Sequence, residues 1–388
     1  MLVLHIGKHK TGSSTIQQFL AANAEKLRDV GVIYPAIGLG KKAHHAMAHQ
    51  LEEPSGASSA EWQELIALER ANRDKKVVVS SEAFETLKPK QVKTLAKAVG
   101  RAEVQVVVYV RELASALPSR YNQLTKKGIN LKDFDAFYAE YGPTDGYNLR
   151  RVIEIWAGNF GWDRMHVRLL DPASLVGGTL IDDLLAVLGL TLDDLGGPEA
   201  VAQSPVNVSM GWKPLEVLRS MALELTAQIG QDPKQPNRLG RGVFSALRAA
   251  CERVAEELAM NKDRTQYLSA RQHAECQEAW VREVTALNAK LVGAKLPLPD
   301  AGRVVKERPF MPSLEQMPAE ERHEFAAELE MEFRSKGCGL PEEAVRRLIP
   351  LVAGPDDALR KARKARRKAW RAERRAAREA AVPAVEAA

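Results

Sequence analysis

Three things are scarce in this sequence, and each scarcity closes off a class of protein. Only three of the 388 residues are cysteine, Cys251, Cys276 and Cys338, too few and too scattered for a disulfide framework or a CxxC metal site, so they are expected as reduced thiols. No apolar run approaches the ~20 residues a membrane-spanning helix needs. The chain also passes from Met1 straight into a strand-like segment, without the basic start, apolar core and cleavage site of a secretory leader, so a cytoplasmic location is the expectation. An excess of positive charge is lacking too, outside one place. The net charge is +6, yet residues 360–378 hold eleven Lys or Arg against one Glu, which leaves the rest near −4. The body therefore lacks the broad basic surface of a nucleic-acid-binding protein.

What the chain has is the length and apolar content for a sizeable core, arranged as strands that alternate with helices. Residues 2–6 (LVLHI), 75–84 (KKVVVSSEAF), 102–112 (AEVQVVVYVRE) and 165–171 (MHVRLLD) read as buried strands. Helical spacing runs through 13–30, 59–72, 89–99, 149–160 and 180–190, and from residue 212 the pattern is almost entirely helical apart from a loop at 230–242. That alternation implies an α/β fold with a central, mainly parallel sheet in a three-layer core, followed by a largely helical C-terminal half. The expected division is an α/β domain over 1–295, a small helical extension over 296–354 behind a proline-rich linker, and a basic Ala/Arg-rich helix or tail over 355–388.

The first strand opens into "GKHKTGSST" (7–15), a glycine-bearing loop that leads into a helix. Backbone amides at a helix start form an anion site, and glycine lets a phosphate come close to the main chain. Gly7 and Gly12 have the separation of the nucleotide-triphosphate loop GxxxxGK[ST], but Ser13 stands where its lysine belongs, and Lys10 approaches from inside the loop. Neither "VVVSSE" nor "VVVYVR" ends in an acid of the Walker B type, and only "MHVRLLD" offers Asp171, so a metal-bound polyphosphate is disfavoured.

The segment "KTGSS" (10–14) resembles the 5′-phosphosulfate loop of sulfotransferases that use 3′-phosphoadenosine 5′-phosphosulfate (PAPS). In that family a later strand ends in an Arg, with a Ser eight residues on, and both hold the 3′-phosphate; "VVVYVRELASALPSRYNQ" supplies Arg111 and Ser119 at that spacing. "SSEAF", "RLLDPASLVGG" and "NVS" (207–209) are similar to bacterial, carbohydrate-type members. The resemblance covers residues 1–220, fades towards 290 and says nothing of the remainder. It implies a P-loop-like fold and an enzyme that moves a sulfuryl group from PAPS to a hydroxyl on a sugar or other polar metabolite, with adenosine 3′,5′-bisphosphate as product and no metal. The glycine-rich C-terminal nucleotide segment of the cytosolic steroid enzymes has no clear counterpart, "RLGRGVF" (238–244) being a faint echo.

The chemistry asks for the same residue types. Negative charge builds on the oxygen that bridges phosphorus and sulfur as that bond breaks. Lys10 is suited to stabilise it, while the amides and hydroxyls of Thr11, Gly12, Ser13, Ser14 and Thr15 hold the phosphate. The acceptor hydroxyl must lose a proton, and Glu82, at the end of "VVVSSE", is the first candidate for that base because carboxyl ends of parallel strands converge on the ligand crevice. His5, His44 and His45 compete with it. His44, His45, Tyr121 and Gln123 are candidates for the acceptor wall, although an exposed helix face explains Tyr121 and Gln123 equally well.

Two readings from other classes stay open. A small-molecule kinase or nucleotide hydrolase would need Mg²⁺, ATP and Asp171 beside the loop. A non-catalytic scaffold would keep the nucleotide fold and act through the basic tail, whose charge suits an anionic membrane surface or a polyanion and whose lone Trp370 argues against a base-stacking role.

Overall fold

The computed structural model describes residues 1–7, 11–53, 55–100, 103–143, 149–201, 209–228, 241–299, 305–336, 340–355, 368 and 372. Lys10, residues 207–208 and 238–240, Cys338 and all of the 355–388 tail except positions 355, 368 and 372 lie outside that set. The chain begins with β1 (Leu2–His5), α1 (Ser13–Ala22), α2 (Ala24–Asp29), β2 (Val32–Ile33), α3 (His45–Gln50), α4 (Ala60–Ala71) and β3 (Lys76–Ser80). Next come α5 (Pro89–Val99), β4 (Val104–Val110), α6 (Leu113–Lys126), α7 (Phe134–Tyr141), α8 (Leu149–Phe160), β5 (Met165–Leu169) and α9 (Leu180–Val187). The last elements are α10 (Trp212–Gln228), α11 (Arg241–Glu257), α12 (Ala270–Asn288), α13 (Ala319–Lys336) and α14 (Glu342–Ala353).

Two compact units result: Met1–Ala116, Pro143–Asn207 and Gln272–Val304 form the first, and Leu117–Gly142, Val208–Arg271 and Val305–Ala388 the second. The first is a five-stranded sheet of order β2-β3-β1-β4-β5 in which every pairing is parallel. Side chains alternate across it as the strand period of two requires. Leu2, Leu4, Val77, Val79, Val106 and Val108 face one way and pack with Trp62, Leu95, Trp156 and Trp280 from α4, α5, α8 and α12. Val3, Val78, Val107 and Tyr109 face the other way and meet Ile16, Phe19, Leu20, Ile181 and Leu184 from α1 and α9. Both faces are thus covered by helices, which is why the strands read as nearly unbroken apolar runs.

Since all five strands point the same way, their carboxyl ends share one edge. β1 lies in the middle, with β2 and β3 to one side and β4 and β5 to the other, so the crossovers diverge at its end, the usual ligand crevice of an open α/β sheet. The third strand is shorter than the expected span of 75–84. It stops at Ser80 because Ser81 turns out of the sheet and caps a 3₁₀ turn over Glu82–Thr86, its Oγ accepting from the Ala83 amide at 3.1 Å.

Among its described residues the second unit consists of helices and the segments that connect them, with no strand. Within it α13 packs on α11 and α14 on α10. An amphipathic pattern shows that a helix buries a face, but not which distant helix it meets. At the centre of this unit Tyr121 is fully buried against Phe134, Phe137 and Tyr267, and its hydroxyl donates to Glu216 Oε1 at 3.2 Å. Burial raises the Glu216 carboxyl, although Arg219, 2.7 Å away, opposes the shift.

Candidate functional site

The loop after β1 starts from a strand held on both sides. Ile6 donates its amide to Val107 O at 3.0 Å, and Ser81 donates to His5 O at 3.1 Å. Gly12 precedes α1 with φ +80°, a left-handed conformation natural to glycine, and its carbonyl accepts from the amides of Thr15 at 2.9 Å and Ile16 at 3.1 Å. As N-cap it offers no side-chain oxygen, so the first-turn amides of α1 look outward with the positive end of the helix dipole. Thr11 and Ser13 are buried, whereas Ser14 and Thr15 are exposed. The loop is also crowded. A Cβ on Gly12 would strike the Leu180 side chain, and one on Gly7 would overlap Ser13 Oγ and lie 3.3 Å from Glu82 Cγ.

That last clearance places Glu82 beside the loop. β3 pairs with β1 so that Ser80 stands opposite His5, which brings Glu82, two residues on, level with Gly7. Glu82 is half-buried on the first residue of its turn.

The histidines are tied to the same stretch of β3. His5 is fully buried, shares a hydrogen bond with Ser80 Oγ through Nδ1 at 2.7 Å, and leaves Nε2 without a partner among the described residues. Burial lowers its pKa to about 4, against the opposing pull of the Glu82 carboxylate, so at neutral pH the ring is uncharged. His44 is buried too. Its Nε2 donates to Pro35 O at 3.0 Å while Nδ1 accepts from the Ser80 amide at 3.3 Å, which fixes one neutral tautomer. Both nitrogens are engaged, so His44 is a core residue rather than a wall of the acceptor cleft. His45 is exposed, with Nδ1 2.8 Å from Ser81 Oγ, and His49 pairs with Glu52 at 2.8 Å. Among the described residues no group of three His, Cys, Asp or Glu gathers as a metal site.

Arg111 follows the last residue of β4, the strand next to β1. It is half-buried, and burial alone lowers its pKa; no carboxylate among the described residues pairs with it. A desolvated guanidinium without a counter-ion is costly unless an anion comes to it. Ser119 lies half-buried on α6, as does Gln123. Tyr121, expected at the rim or on an exposed face, is instead the aromatic core residue described above; its partners Glu216 and Tyr267 are distant in sequence, and an isolated tyrosine on a helix gives no sign of them. Asp171 sits past the end of β5, which β4 separates from β1, and its carboxylate accepts from Ser174 Oγ at 3.4 Å.

One constellation goes beyond these candidates. Asp183 on α9 is fully buried and receives the Tyr109 hydroxyl at 2.9 Å, the Val176 amide at 3.0 Å and both a 2.9 Å bond from Arg168 Nε and a second from Arg168 Nη2. Burial works to raise its pKa, but these donors together hold it below the usual carboxylate range. The cluster fixes the start of α9, and so Leu180, against Gly12. A signal existed: in "LIDDLLAVL" Asp183 falls among the leucines that face the sheet.

No protein-family model matches the sequence, and no curated protein matches it. Among solved structures the chain is similar to a sulfotransferase from Alicyclobacillus acidocaldarius, at 15% identity and a TM-score of 0.30, over 59% of this chain and 96% of that one. Among the described residues no helix is long and apolar enough to cross a membrane.

Proposed function

We propose that this chain is a sulfotransferase that moves the sulfuryl group of PAPS to a hydroxyl acceptor, on a carbohydrate or another polar metabolite. The observation that carries the reading is Arg111: a half-buried guanidinium with no carboxylate partner among the described residues, one strand away from a helix start that presents amides at the same sheet edge. Two anion-binding devices of different kinds at one edge suit a nucleotide with phosphates at two positions.

In this reading the amides of Thr11 to Ser14 and the hydroxyls of Ser13 and Ser14 hold the 5′-phosphate at the start of α1. Arg111, with Ser119 carried over from the sequence spacing, grips the 3′-phosphate. The acceptor oxygen attacks sulfur and its proton passes to Glu82. The bond from sulfur to the bridging oxygen breaks, and that oxygen leaves with adenosine 3′,5′-bisphosphate, its charge met by Lys10. The complete burial of His5 and the closed hydrogen bonds of His44 favour Glu82 as base. His45 and Gln123 remain for the acceptor. The basic segment 360–378 would give a cytoplasmic enzyme contact with an anionic surface such as the inner membrane.

Calorimetric titration with adenosine 3′,5′-bisphosphate and with ATP, each with and without Mg²⁺, tests this. Tighter binding of the bisphosphate without metal is the expected result. Preference for ATP with Mg²⁺ would replace the reading with a kinase or hydrolase, which the separation of Asp171 from β1 disfavours.

A further inference from the structure

β1 carries the phosphate loop and β3 carries Glu82, so any reaction that uses both needs the ends of these two strands in fixed relation. The backbone ladder stops short of that point. Its last bond runs from the Ser81 amide to His5 O, and the chain then leaves the sheet. Beyond it the relation is set by side chains, and Ser80 is held by two of them. His5 Nδ1 bonds Ser80 Oγ at 2.7 Å, while His44 takes the Ser80 amide on Nδ1 at 3.3 Å and returns its own amide to Ser80 O at 2.9 Å. His45 holds Ser81 Oγ at 2.8 Å. Three imidazoles therefore brace two consecutive serines directly before Glu82.

His5 differs from the others because packing does not explain it. It lies in a β-strand whose other residues are aliphatic, it is fully buried, and its Nε2 meets no partner among the described residues. A leucine would fill a similar volume without stranding a nitrogen, and removing both members of a buried hydrogen bond is often nearly neutral for stability. What a leucine cannot do is hold Ser80 Oγ.

We propose that His5 is a positioning residue for Glu82: through Ser80 it sets how far the end of β3 reaches over the phosphate loop, and hence where the Glu82 carboxylate meets the acceptor. The role rests on Glu82 being the base in the reading above. His5 touches neither nucleotide nor acceptor in this role, so its loss changes turnover and spares nucleotide binding.

The test compares the wild-type chain with the pair His5→Leu/Ser80→Ala and with His5→Asn, whose amide nitrogen takes the place of Nδ1. Three quantities are measured: the thermal midpoint, calorimetric affinity for adenosine 3′,5′-bisphosphate, and release of that product from PAPS with water as acceptor. In the last, water oxygen binds sulfur, the bond to the bridging oxygen breaks, and the products are sulfate and bisphosphate. The pair is expected to stay folded, to bind bisphosphate within about threefold of wild type and to turn over about thirtyfold more slowly, as misplacement of a reacting group costs. His5→Asn is expected to recover most of that rate. Unchanged turnover in the pair, affinity that falls in step with turnover, or His5→Asn no faster than the pair would each overturn the proposal. Amide exchange at Glu82 and Ala83 separates this failure from failure of the functional reading. If the wild type neither binds bisphosphate nor consumes PAPS, faster exchange in the pair that His5→Asn reverses still upholds the brace, and unchanged exchange removes it.

Discussion

Tyr109 donates its hydroxyl to Asp183 Oδ1 at 2.9 Å, joining the carboxyl end of β4 to the first turn of α9. Asp183 is the hub of that contact, since Arg168 and the Val176 amide converge on the same carboxylate. Asp183→Asn leaves the Arg168 guanidinium without its counter-charge in a largely enclosed site, and a loss of about 3 kcal/mol is expected. Urea unfolding at pH 7 measures it. Replacing both partners, Asp183→Leu with Arg168→Met, is expected to cost less than the single change. The depressed carboxyl contributes stability that is present above its unfolded pKa and is lost as pH falls through the lower folded one.

A second acid effect begins at higher pH. His5 titrates at 6.5 when unfolded and at about 4 when buried, and burial lowers His44 in the same direction. Between those values the unfolded chain binds protons that the folded chain refuses, so stability declines as pH drops from 6.5 towards 4. For His5 alone the decline reaches about 3 kcal/mol. Unfolding midpoints across that range should fall less steeply in His5→Asn, which has nothing to titrate there. Parallel curves for the two proteins would show that His5 stays solvated.

Arg111 gives a prediction with opposite signs for stability and binding. Arg111→Met keeps most of the aliphatic stem and removes a desolvated charge that has no carboxylate beside it among the described residues. The thermal midpoint is expected to hold or rise. Affinity for adenosine 3′,5′-bisphosphate is expected to drop about a hundredfold, the scale of a charge-assisted bond of ~2.5 kcal/mol. Adenosine 5′-phosphate, which lacks the group Arg111 would hold, should weaken by no more than about threefold. Equal weakening of both ligands would take the 3′-phosphate away from Arg111.

Gly12→Ala meets two obstacles of different origin. The φ of +80° costs an L-residue about 1 kcal/mol, and the added methyl runs into Leu180. Adding Leu180→Ala to Gly12→Ala should recover the steric part and not the backbone part. Midpoints of Gly12→Ala, Leu180→Ala and the double variant separate the two, and full recovery would mean that the left-handed conformation relaxes.

The sheet was legible because its strands are buried on both faces and its helices carry clean periodicity. Pro89 opens α5 and Gly100 follows it, and the expected span of 89–99 is the one observed. The loop was legible from Gly12 and the hydroxyls after it. His5 could have been placed inside by strand alternation, since it falls on the same face as Val3. His44 and Tyr121 could not. What makes each a core residue is a partner that local pattern does not name, Pro35 O and the Ser80 amide for one, Glu216 and the aromatic cluster for the other. The packing partners of 319–353 were not legible for the same reason, because nothing local names α11 and α10 as the helices that α13 and α14 meet.

The chain changes unit at residues 116, 142, 207, 271 and 304, and two of those changes fall within α6 and α12. No single cut therefore releases either part intact. A truncation near residue 295, the natural choice from sequence, would remove α13 and α14, with the fully buried Phe325, Leu329 and Leu348, and uncover the faces of α10 and α11 on which they pack. The helical unit is drawn from three separate stretches of the chain, so it is interleaved in sequence with the sheet unit rather than appended to it.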